Sequence, residues 1–392
     1  MKTTIPESLK TEFFNLYGNT ENPPQAFFAP GRVNLIGEHT DYNGGFVLPC
    51  ALQFGTLLLV RLNDQDIIKL DSVNVPEKQS FPADQPFQKQ QIRWFNYPLG
   101  VMDQFVKKGF QIKGMELLFS GDIPNNAGLS SSASIEMATA VALNDLLNTG
   151  QSRIDLVKIS QNAEHEFAGV NCGIMDQFAS GMCKANHAVF LNCHTLEYKL
   201  IPVLIPGYRL VVANTNKQRG LADSKYNERV TECAEAVKQL SQIIDIKSLS
   251  DISFMQFYKL QDQITDEKIR RRARHVLSEN QRVLNSVSCL LKGDLLQFGA
   301  LMNSSHDSLR ENYEVTGFEL DTLVDEVRKI NGVIGSRMTG AGFGGCTVSL
   351  LKEESIDNFM NHGGEEYRKK TGLTPDFYIA EPSDGAGKLI YS

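Results

Sequence analysis

A run of small residues that opens directly into a helical pattern limits this chain more than any other feature. The run is Pro124-Asn-Asn-Ala-Gly-Leu-Ser-Ser-Ser-Ala133, and apolar residues follow it at helical spacing: Ile135, Ala138, Ala142 and Leu146. Backbone N–H groups at a helix N-terminus attract anions, and the hydroxyls of Ser130, Ser131 and Ser132 can add hydrogen bonds or a Mg²⁺ ligand. Helix capping needs a single serine. Three serines beside Gly128 therefore favour a phosphate site, although no GxxxxGK[ST] loop of the Walker type occurs anywhere.

A second glycine-rich segment, Gly335-Ser-Arg-Met-Thr-Gly-Ala-Gly-Phe-Gly-Gly345, contains a pattern that is typical of dinucleotide binding. Gly340, Gly342 and Gly345 satisfy GxGxxG. The dinucleotide fingerprint must open a helix, whereas the strand-like run Cys346-Thr-Val-Ser-Leu-Leu351 follows here. We therefore predict a glycine-rich turn between two strands, close to another backbone or to a ligand.

A third segment, residues 31–45, is rich in both glycine and charge. Arg32, Glu38, His39 and Asp41 lie between its glycines, just ahead of an apolar strand. Ionisable groups between flexible backbone points suit a loop that binds a hydroxylated ligand through charge-assisted hydrogen bonds. The alternative is a surface turn that happens to be charged.

Two acidic residues between these segments are candidates for catalysis. Glu164 lies on a helix predicted to begin after the N-cap Ser152 and to end near Gly169. Asp176 lies in Gly173-Ile-Met-Asp-Gln177, at the predicted start of another helix. Phosphoryl transfer needs a carboxylate that holds a metal ion and a group that accepts the proton of the substrate. The alternative for Asp176 is a simple helix cap.

Length and composition set wider limits. A chain of 392 residues is too long for one small core and predicts two domains. Its formal net charge of −7 argues against nucleic-acid binding, and the basic cluster at residues 268–275 is predicted to be a solvated helix face. No apolar run approaches the ~18 residues that span a bilayer, the N-terminal residues lack the apolar core of a signal peptide, and seven cysteines occur singly. We expect a cytoplasmic protein that binds neither nucleic acid nor membrane.

The order of predicted elements indicates the fold class. Apolar runs predict strands at 46–48, 55–60 and 208–213, and a strand–turn–strand unit at 333–351. Strands and helices alternate without the regular order of a parallel doubly wound sheet, which indicates two α+β domains. The pattern changes after residue 205, where the strand at 208–213 leads into a long polar and helical region at about 220–330. We therefore predict domains of residues 1–205 and 206–392.

Together these segments resemble the galactokinase family of the GHMP kinase superfamily over essentially the whole chain. Residues 31–42 resemble the sugar signature of that family, 124–133 its ATP-phosphate loop and 335–345 its C-terminal glycine-rich motif. Four further runs match in the same order: Cys172–Gln177, Asn214–Lys217, Asp223–Arg229 and Ser304–Arg310. One departure is Asn126, where the family usually has a small residue; asparagine tolerates left-handed backbone, so the loop is still expected to form.

The resemblance implies a specific fold. It consists of an N-terminal domain like ribosomal protein S5 domain 2 and a ferredoxin-like C-terminal domain. The active site is expected in the cleft between them, where the three glycine-rich segments converge.

The resemblance also implies an activity and a role for each candidate residue. The activity is transfer of the γ-phosphate of Mg-ATP to the C1 hydroxyl of galactose, with Asp176 as catalytic base and Arg32 stabilising the transferred group. The expected sugar contacts are Glu38, His39, Asp41, the Gly173 backbone and Tyr226. The expected nucleotide and metal contacts are Gly128, Ser130 and Ser131 for the phosphates, Ser132 and Glu164 for Mg²⁺, and Trp94 and Tyr97 on the adenine side. Aromatic core packing is an equal alternative for Trp94 and Tyr97.

Other functions remain open at this point. A related kinase acting on N-acetylgalactosamine or arabinose would use the same catalytic residues. Mevalonate or homoserine kinase activity fits less well with the run Glu38–Tyr42, whose pattern is typical of sugar kinases. A non-catalytic sensor of galactose and ATP fits less well with the intact pair Ser132-Ala133. The resemblance implies a monomer, and whether Asp176 removes the proton or orients the hydroxyl is left undecided.

Overall fold

The computed structural model of the chain describes residues 5–124, 127–218 and 222–390. Asn126 and residues 1–4 lie outside these ranges, and so do the predictions made for the loop at Asn126 and for the first residues of the chain. The strands are β1 Gln25–Asn34, β2 Phe46–Val47, β3 Pro49–Leu62, β4 Ile67–Ser72, β5 Gln79–Pro82, β6 Met115–Gly121, β7 His187–Asn192, β8 Tyr198–Pro202, β9 Tyr208–Asn214, β10 Val333–Thr339, β11 Cys346–Lys352, β12 Asp376–Ala380 and β13 Gly387–Leu389.

Helices cover much of the remaining chain. The α-helices are α1 Glu7–Tyr17, α2 Asn96–Lys107, α3 Ser131–Leu146, α4 Arg153–Ala163, α5 Met175–Met182, α6 Ala222–Leu240, α7 Phe254–Leu260, α8 Glu267–Lys292, α9 Leu295–Ser308, α10 Gly317–Val327, α11 Ile356–Asn358 and α12 Gly364–Thr371. Short 3₁₀ turns lie at Asp41–Asn43, Arg93–Phe95, Leu249–Asp251, Gln261–Gln263 and Glu353–Ser355, and π-helical turns at Glu164–Ala168, Leu309–Tyr313 and Phe359–Gly363.

The strands form three sheets. The first has the order β13-β1-β3-β6-β4-β5 and is antiparallel except for the parallel pair β4 and β6. The second has the order β10-β11-β9-β12, and the third the order β2-β7-β8. Mixed sheets with helices outside regular βαβ units confirm the predicted α+β class.

Strand β3 explains why its sequence reads as a continuous apolar run. Leu58 and Val60 face the core formed with the helices α2–α5, whereas Leu57 and Leu59 face a second cluster under α1. Side chains alternate between the two faces of a strand, so a strand that is covered on both faces needs apolar residues at every position.

The helix and strand predictions hold with one change of detail. Ser152 caps α4 by accepting a hydrogen bond from the Asp155 N–H, as predicted. The α-helix ends at Ala163, however, and a π-helical turn continues to Gly169, whose φ is +76°. The predicted strands at 208–213 and 333–351 are confirmed as β9 and the β10–β11 pair.

The two halves of the chain share packing. One buried cluster joins residues of β1 and β3, such as Val33 and Leu52, to residues of β9 and β11, such as Val212 and Val348. The chain also returns to the first sheet at its end, since β13 pairs with β1. The division at residue 205 stays a prediction.

The prediction of a solvated face at residues 268–275 is wrong for two of its basic residues. Arg272 is 1% exposed and His275 is fully buried in α8. Arg272 is buried because it lies between two carboxylates, with Nε 2.8 Å from Glu232 Oε2 and Nη2 2.5 Å from Glu314 Oε2. Burial of a charge is tolerated where it is paired in this way.

Two further features concern the whole described chain. Within the described ranges, no helix has both the length and the apolar character that crossing a bilayer requires. All seven cysteines fall within those ranges and none of them forms a disulfide.

Candidate active site

A bidentate ion pair between Arg32 and Asp176 lies at the centre of the site. Arg32 is on β1, next to an irregularity in its pairing with β3, and Asp176 is the second residue of α5. Arg32 Nε lies 2.8 Å from Asp176 Oδ1, and Nη2 lies 2.8 Å from Oδ2. The third nitrogen, Nη1, donates to the Gly128 carbonyl at 2.8 Å. One buried guanidinium thus joins the predicted phosphate loop, called the phosphate segment below and described here for residues 127–133, to Asp176, in the fork geometry that arginine provides.

The phosphate segment turns sharply into α3 at Ser130. Ser130 adopts left-handed backbone, with φ +62°, and its side chain does not cap the helix. Its hydroxyl donates instead to Asp176 Oδ2 at 2.5 Å. Simple capping, the alternative for this serine, is therefore not what it does, while Ser131 is exposed at the first turn of α3.

Glycines allow the three segments to meet. A Cβ at residue 31 would lie 2.5 Å from the Leu129 carbonyl oxygen, so β1 passes the phosphate segment at backbone distance. A Cβ at Gly340 would lie 3.1 Å from the Gly128 carbonyl oxygen. The second glycine-rich segment forms the predicted turn between β10 and β11, and it closes on the phosphate segment.

Ser132 and Glu164 also lie together. The Ser132 hydroxyl donates to Glu164 Oε1 at 2.9 Å, and Gln177 Nε2 donates to Glu164 Oε2 at 2.5 Å. Burial, and then the charge of Asp176, raises the pKa of Glu164. Among the described residues, no group of three or more histidine, cysteine or acidic side chains is arranged so that it could hold a metal ion. A single hydroxyl and a single carboxylate fit Mg²⁺, which takes its other ligands from water and nucleotide phosphates.

Asp41 is close to the turn before α5. A Cβ at Gly173 would lie 1.9 Å from Asp41 Oδ2, so this position must be glycine. Burial, and then the charge of Asp176, raises the pKa of Asp41 to about 7. The structure therefore brings Asp41, Gly173 and Asp176 to one place.

His39 contacts the second glycine-rich segment and an aromatic cluster. Its Nε2 lies 3.2 Å from the Ala341 carbonyl and must carry the hydrogen, since a carbonyl only accepts. Its Nδ1 then accepts from the Tyr42 hydroxyl at 2.9 Å. The Tyr226 ring lies 5.7 Å from the His39 ring and 5.2 Å from the Tyr42 ring. Burial lowers the pKa of His39 to about 3, so the ring is neutral.

Glu38 is 1% exposed, and protein groups occupy both of its oxygens. Oε2 pairs with Arg337 Nη2 at 2.8 Å and accepts from Asn34 Nδ2 at 2.6 Å. Oε1 accepts from the Thr339 hydroxyl at 3.1 Å and from the Gly340 N–H at 2.7 Å. Glu38 thus ties the sugar-type segment, which is residues 31–45, to β10. Its contact with the sugar stays a prediction.

The two aromatic candidates lie on a 3₁₀ turn and at the start of α2. The Trp94 ring packs 4.3 Å from the Phe95 ring and 5.9 Å from the Phe119 ring. Trp94 Nε1 is buried and has no hydrogen-bond partner among the described residues. Tyr97 is half-buried on α2. These contacts match core packing for Trp94, and the adenine-side role of both residues stays a prediction.

Several residues of the site were not predicted from the sequence. Gln177 lies in the motif Cys172–Gln177 and Arg337 in the glycine-rich segment 335–345, so these motifs could have indicated both residues. Glu136 and Tyr313 gave none, because single polar residues in helices are common. Glu136 is fully buried and accepts from Gln177 Nε2 at 3.1 Å. The Tyr313 hydroxyl donates to the Tyr42 hydroxyl oxygen at 2.8 Å, because the hydrogen of Tyr42 is donated to His39.

Three family models match the chain in order. The galactokinase galactose-binding signature matches residues 11–62, the GHMP kinases N terminal domain residues 96–184, and the GHMP kinases C terminal domain residues 286–369. These ranges include the sugar-type segment, the phosphate segment and the second glycine-rich segment. The predicted two-domain GHMP kinase fold is confirmed.

Known proteins agree with the family models. The chain is 50% identical to a galactokinase of Fusobacterium nucleatum, over 96% of this chain and 97% of the relative. It is 47% identical to a galactokinase of Bacillus subtilis, over 98% of this chain and 99% of the relative. The crystal structure of Lactococcus lactis galactokinase with galactose matches with a TM-score of 0.95 and 43% identity, covering 97% of this chain and 99% of that one.

A more distant structure shows the fold alone. Mevalonate kinase of Methanococcus jannaschii has a TM-score of 0.63 at 18% identity, over 92% of this chain and 99% of that one. On its own, that match leaves the substrate open. The full-length relatives and the galactose-binding signature decide the family: the chain belongs to the galactokinase family of GHMP kinases.

Proposed function

We propose that this chain is a galactokinase, which transfers the γ-phosphate of Mg-ATP to the C1 hydroxyl of galactose and releases galactose 1-phosphate and ADP. The observation that carries the proposal is the Arg32–Asp176 pair, which touches the phosphate segment through Gly128 and Ser130 and lies beside Asp41 of the sugar-type segment. Acceptor and donor would meet at this pair. Relatives 45% to 50% identical over nearly the full chain are galactokinases, which supports the choice of substrate.

Asp176 and Arg32 would act directly on the reacting groups. As the bond from the sugar oxygen to the γ-phosphorus forms and the bond to the leaving ADP oxygen breaks, the hydroxyl proton passes to the Asp176 carboxylate. Most of the rate would come from orientation of the hydroxyl and from the positive charge of Arg32 on the transferred group.

The nucleotide would lie along the N-terminus of α3. Gly128, Ser130 and Ser131 would contact its phosphates, where helix N–H groups and the helix dipole favour anions. Ser132 and Glu164 would hold Mg²⁺, which neutralises phosphate charge when bound. Trp94 and Tyr97 would lie on the adenine side.

The sugar would lie between the sugar-type segment and the turn before α5. Asp41 would accept hydrogen bonds from sugar hydroxyls, and the Gly173 backbone and the Tyr226 hydroxyl would complete that wall. Neutral His39 would line the wall and hold the turn at Ala341 in place. Glu38 would contribute a hydroxyl contact in addition to the protein groups that it already binds.

We also propose that the protein acts as a monomer in the cytoplasm. The seven cysteines occur singly along the sequence and suit a reducing compartment. A related kinase for N-acetylgalactosamine or arabinose is the alternative, since such an enzyme would keep the same catalytic pair.

An acceptor panel tests the proposal. ADP release is measured with purified protein and Mg-ATP in the presence of galactose, N-acetylgalactosamine, arabinose, glucose or mevalonate. Turnover largely confined to galactose is expected. Faster turnover with another sugar would keep the phosphate chemistry and reassign the acceptor, and turnover with mevalonate alone would contradict the proposal.

A further inference from the structure

Helix α8 passes behind the sugar-type segment, and two of its buried side chains hold the backbone of that segment. His275 Nε2 lies 3.1 Å from the Glu38 carbonyl oxygen, and Glu279 Oε1 accepts from the Gly37 N–H at 3.0 Å. Both side chains are fully buried. They lie more than 230 residues away from the segment in the sequence, so the contact joins the two halves of the chain.

The hydrogen-bond direction at His275 follows from its partners. A carbonyl oxygen only accepts, so Nε2 carries the hydrogen and donates it to Glu38. Nδ1 then accepts from the Ser308 hydroxyl at 2.9 Å, which fixes this tautomer. The ring also lies 4.5 Å from the Tyr313 ring.

Glu279, which lies on the same helix as His275, holds Gly37, the residue before Glu38. Its carboxylate accepts from Arg282 Nε and from the Ser305 hydroxyl, each at 2.6 Å, besides the Gly37 N–H. The charge of Arg282 opposes burial and lowers the pKa of Glu279 to about 2, so it accepts as a carboxylate. One residue further on, the Asn280 side chain accepts from the Phe46 N–H at 2.9 Å.

The backbone that these side chains hold is not one that the segment adopts easily. Gly37 has φ +104° and His39 has φ +62°. A non-glycine residue at positive φ, such as His39, is strained and persists only where its surroundings enforce it. The turn between these residues determines where His39 and Asp41 point, so its geometry depends on the contacts with α8.

We propose that His275 is a positioning residue for the sugar: by donating to the Glu38 carbonyl, it fixes the turn that presents His39 and Asp41 to the acceptor. This inference rests on the proposed function of the same site. His275 does not contact the sugar in this account and acts through the backbone of Glu38.

Two variants separate positioning from simple packing. His275→Phe keeps a ring against Tyr313 but removes the donor, and His275→Gln restores an N–H donor at similar reach. Loss of one buried hydrogen bond corresponds to about a tenfold change in an equilibrium. We expect His275→Phe to raise the galactose KM about tenfold with the ATP KM changed less than about twofold, and His275→Gln to recover most of the loss.

The controls keep the test decisive. Far-UV circular dichroism and thermal unfolding report whether each variant is folded. If His275→Phe does not fold, Ser308→Ala replaces it, since this variant removes only the hydroxyl that fixes the tautomer, and a smaller rise in galactose KM is expected. An unchanged galactose KM in a folded variant, equal rises in both KM values, or no recovery with His275→Gln would overturn the proposal.

Failure of the proposed substrate would look different. In that case the wild-type protein would prefer another acceptor in the panel, and the same pair of variants would be compared with that acceptor. If the wild-type protein turned over no acceptor, the dissociation constant of galactose would be compared between the two variants by calorimetry. A tenfold weakening that His275→Gln reverses would still support the positioning role, and equal constants would refute it.

Discussion

Asp41 packs directly against Gly173, at a distance that leaves no room for a β-carbon on residue 173. This contact places the sugar-type segment on the turn that leads into α5, three residues before Asp176. In the proposed site, the position of the sugar is thereby linked to the position of the Asp176 carboxylate. Such links have to be accurate, since small displacements of reacting groups lower rates strongly.

Gly173→Ala tests this link. The added Cβ would lie 1.9 Å from Asp41 Oδ2, so the Asp41 carboxylate must move. We expect the galactose KM to rise by about tenfold or more, with a smaller change in the ATP KM. Gly387→Ala is the matched control, because a Cβ there would meet no atom within 4 Å. Steady-state kinetics with each substrate varied would show this, and an unchanged galactose KM in Gly173→Ala would count against the geometry of the contact.

Asp41 also predicts a pH dependence of stability. Its pKa in the folded protein is about 7, above the ordinary 3.8. At a pH between these two values, the folded protein keeps a proton on Asp41 that the unfolded chain has released. Stability therefore falls as the pH rises from about 4 to about 7, and the cost persists above pH 7. Asp41→Asn removes this cost.

Urea unfolding without sugar measures that difference. We expect Asp41→Asn to raise the free energy of unfolding at pH 8 by at least about 1 kcal/mol relative to the wild type, and to change it much less at pH 4. The same change at the exposed Asp64 serves as control. Equal effects of Asp41→Asn at both pH values would show that burial does not perturb this carboxyl. The variant should bind galactose more weakly, since it loses the charged acceptor.

Ser132 and Ser131 should differ in their dependence on Mg²⁺. The Ser132 hydroxyl lies 2.9 Å from Glu164 Oε1, whereas Ser131 is exposed at the start of α3. Ser132→Ala removes a proposed metal ligand, so the Mg²⁺ concentration for half-maximal activity should rise roughly tenfold, the order found when a supporting group at a metal site is lost. Ser131→Ala should act mainly on the ATP KM. Titrations of Mg²⁺ at saturating ATP distinguish the two, and identical curves for both variants would contradict the assignment.

Much of the site could be predicted from the sequence because its residues lie in short, compositionally unusual segments. Arg32, Ser130 and Asp176 were all candidates, although Arg32 and Asp176 lie 144 residues apart. Their direct hydrogen bonds could not be predicted, because periodicity and composition identify the face of an element but not its partner. The capping of α4 by Ser152 was predictable because it is a local interaction.

The burial of basic residues in helix α8 could not be predicted from the sequence. A run of arginines and a histidine is typical of a solvated helix face, yet Arg272 and His275 are buried. Their partners, Glu232, Glu314 and the Glu38 carbonyl, come from other elements and leave no trace in the local pattern. Tertiary contacts therefore decide whether a polar residue is buried, and the local sequence pattern does not predict it.

The central claim is that the Asp176 carboxylate, held by Arg32, acts on the galactose hydroxyl during phosphoryl transfer. The most direct test is galactose-dependent ADP release by Asp176→Ala, in protein shown to be folded by thermal unfolding and to bind ATP by calorimetry. We expect a fall in kcat of about 10²- to 10⁴-fold with ATP binding retained. Near-normal turnover by the folded variant would contradict a catalytic role for Asp176.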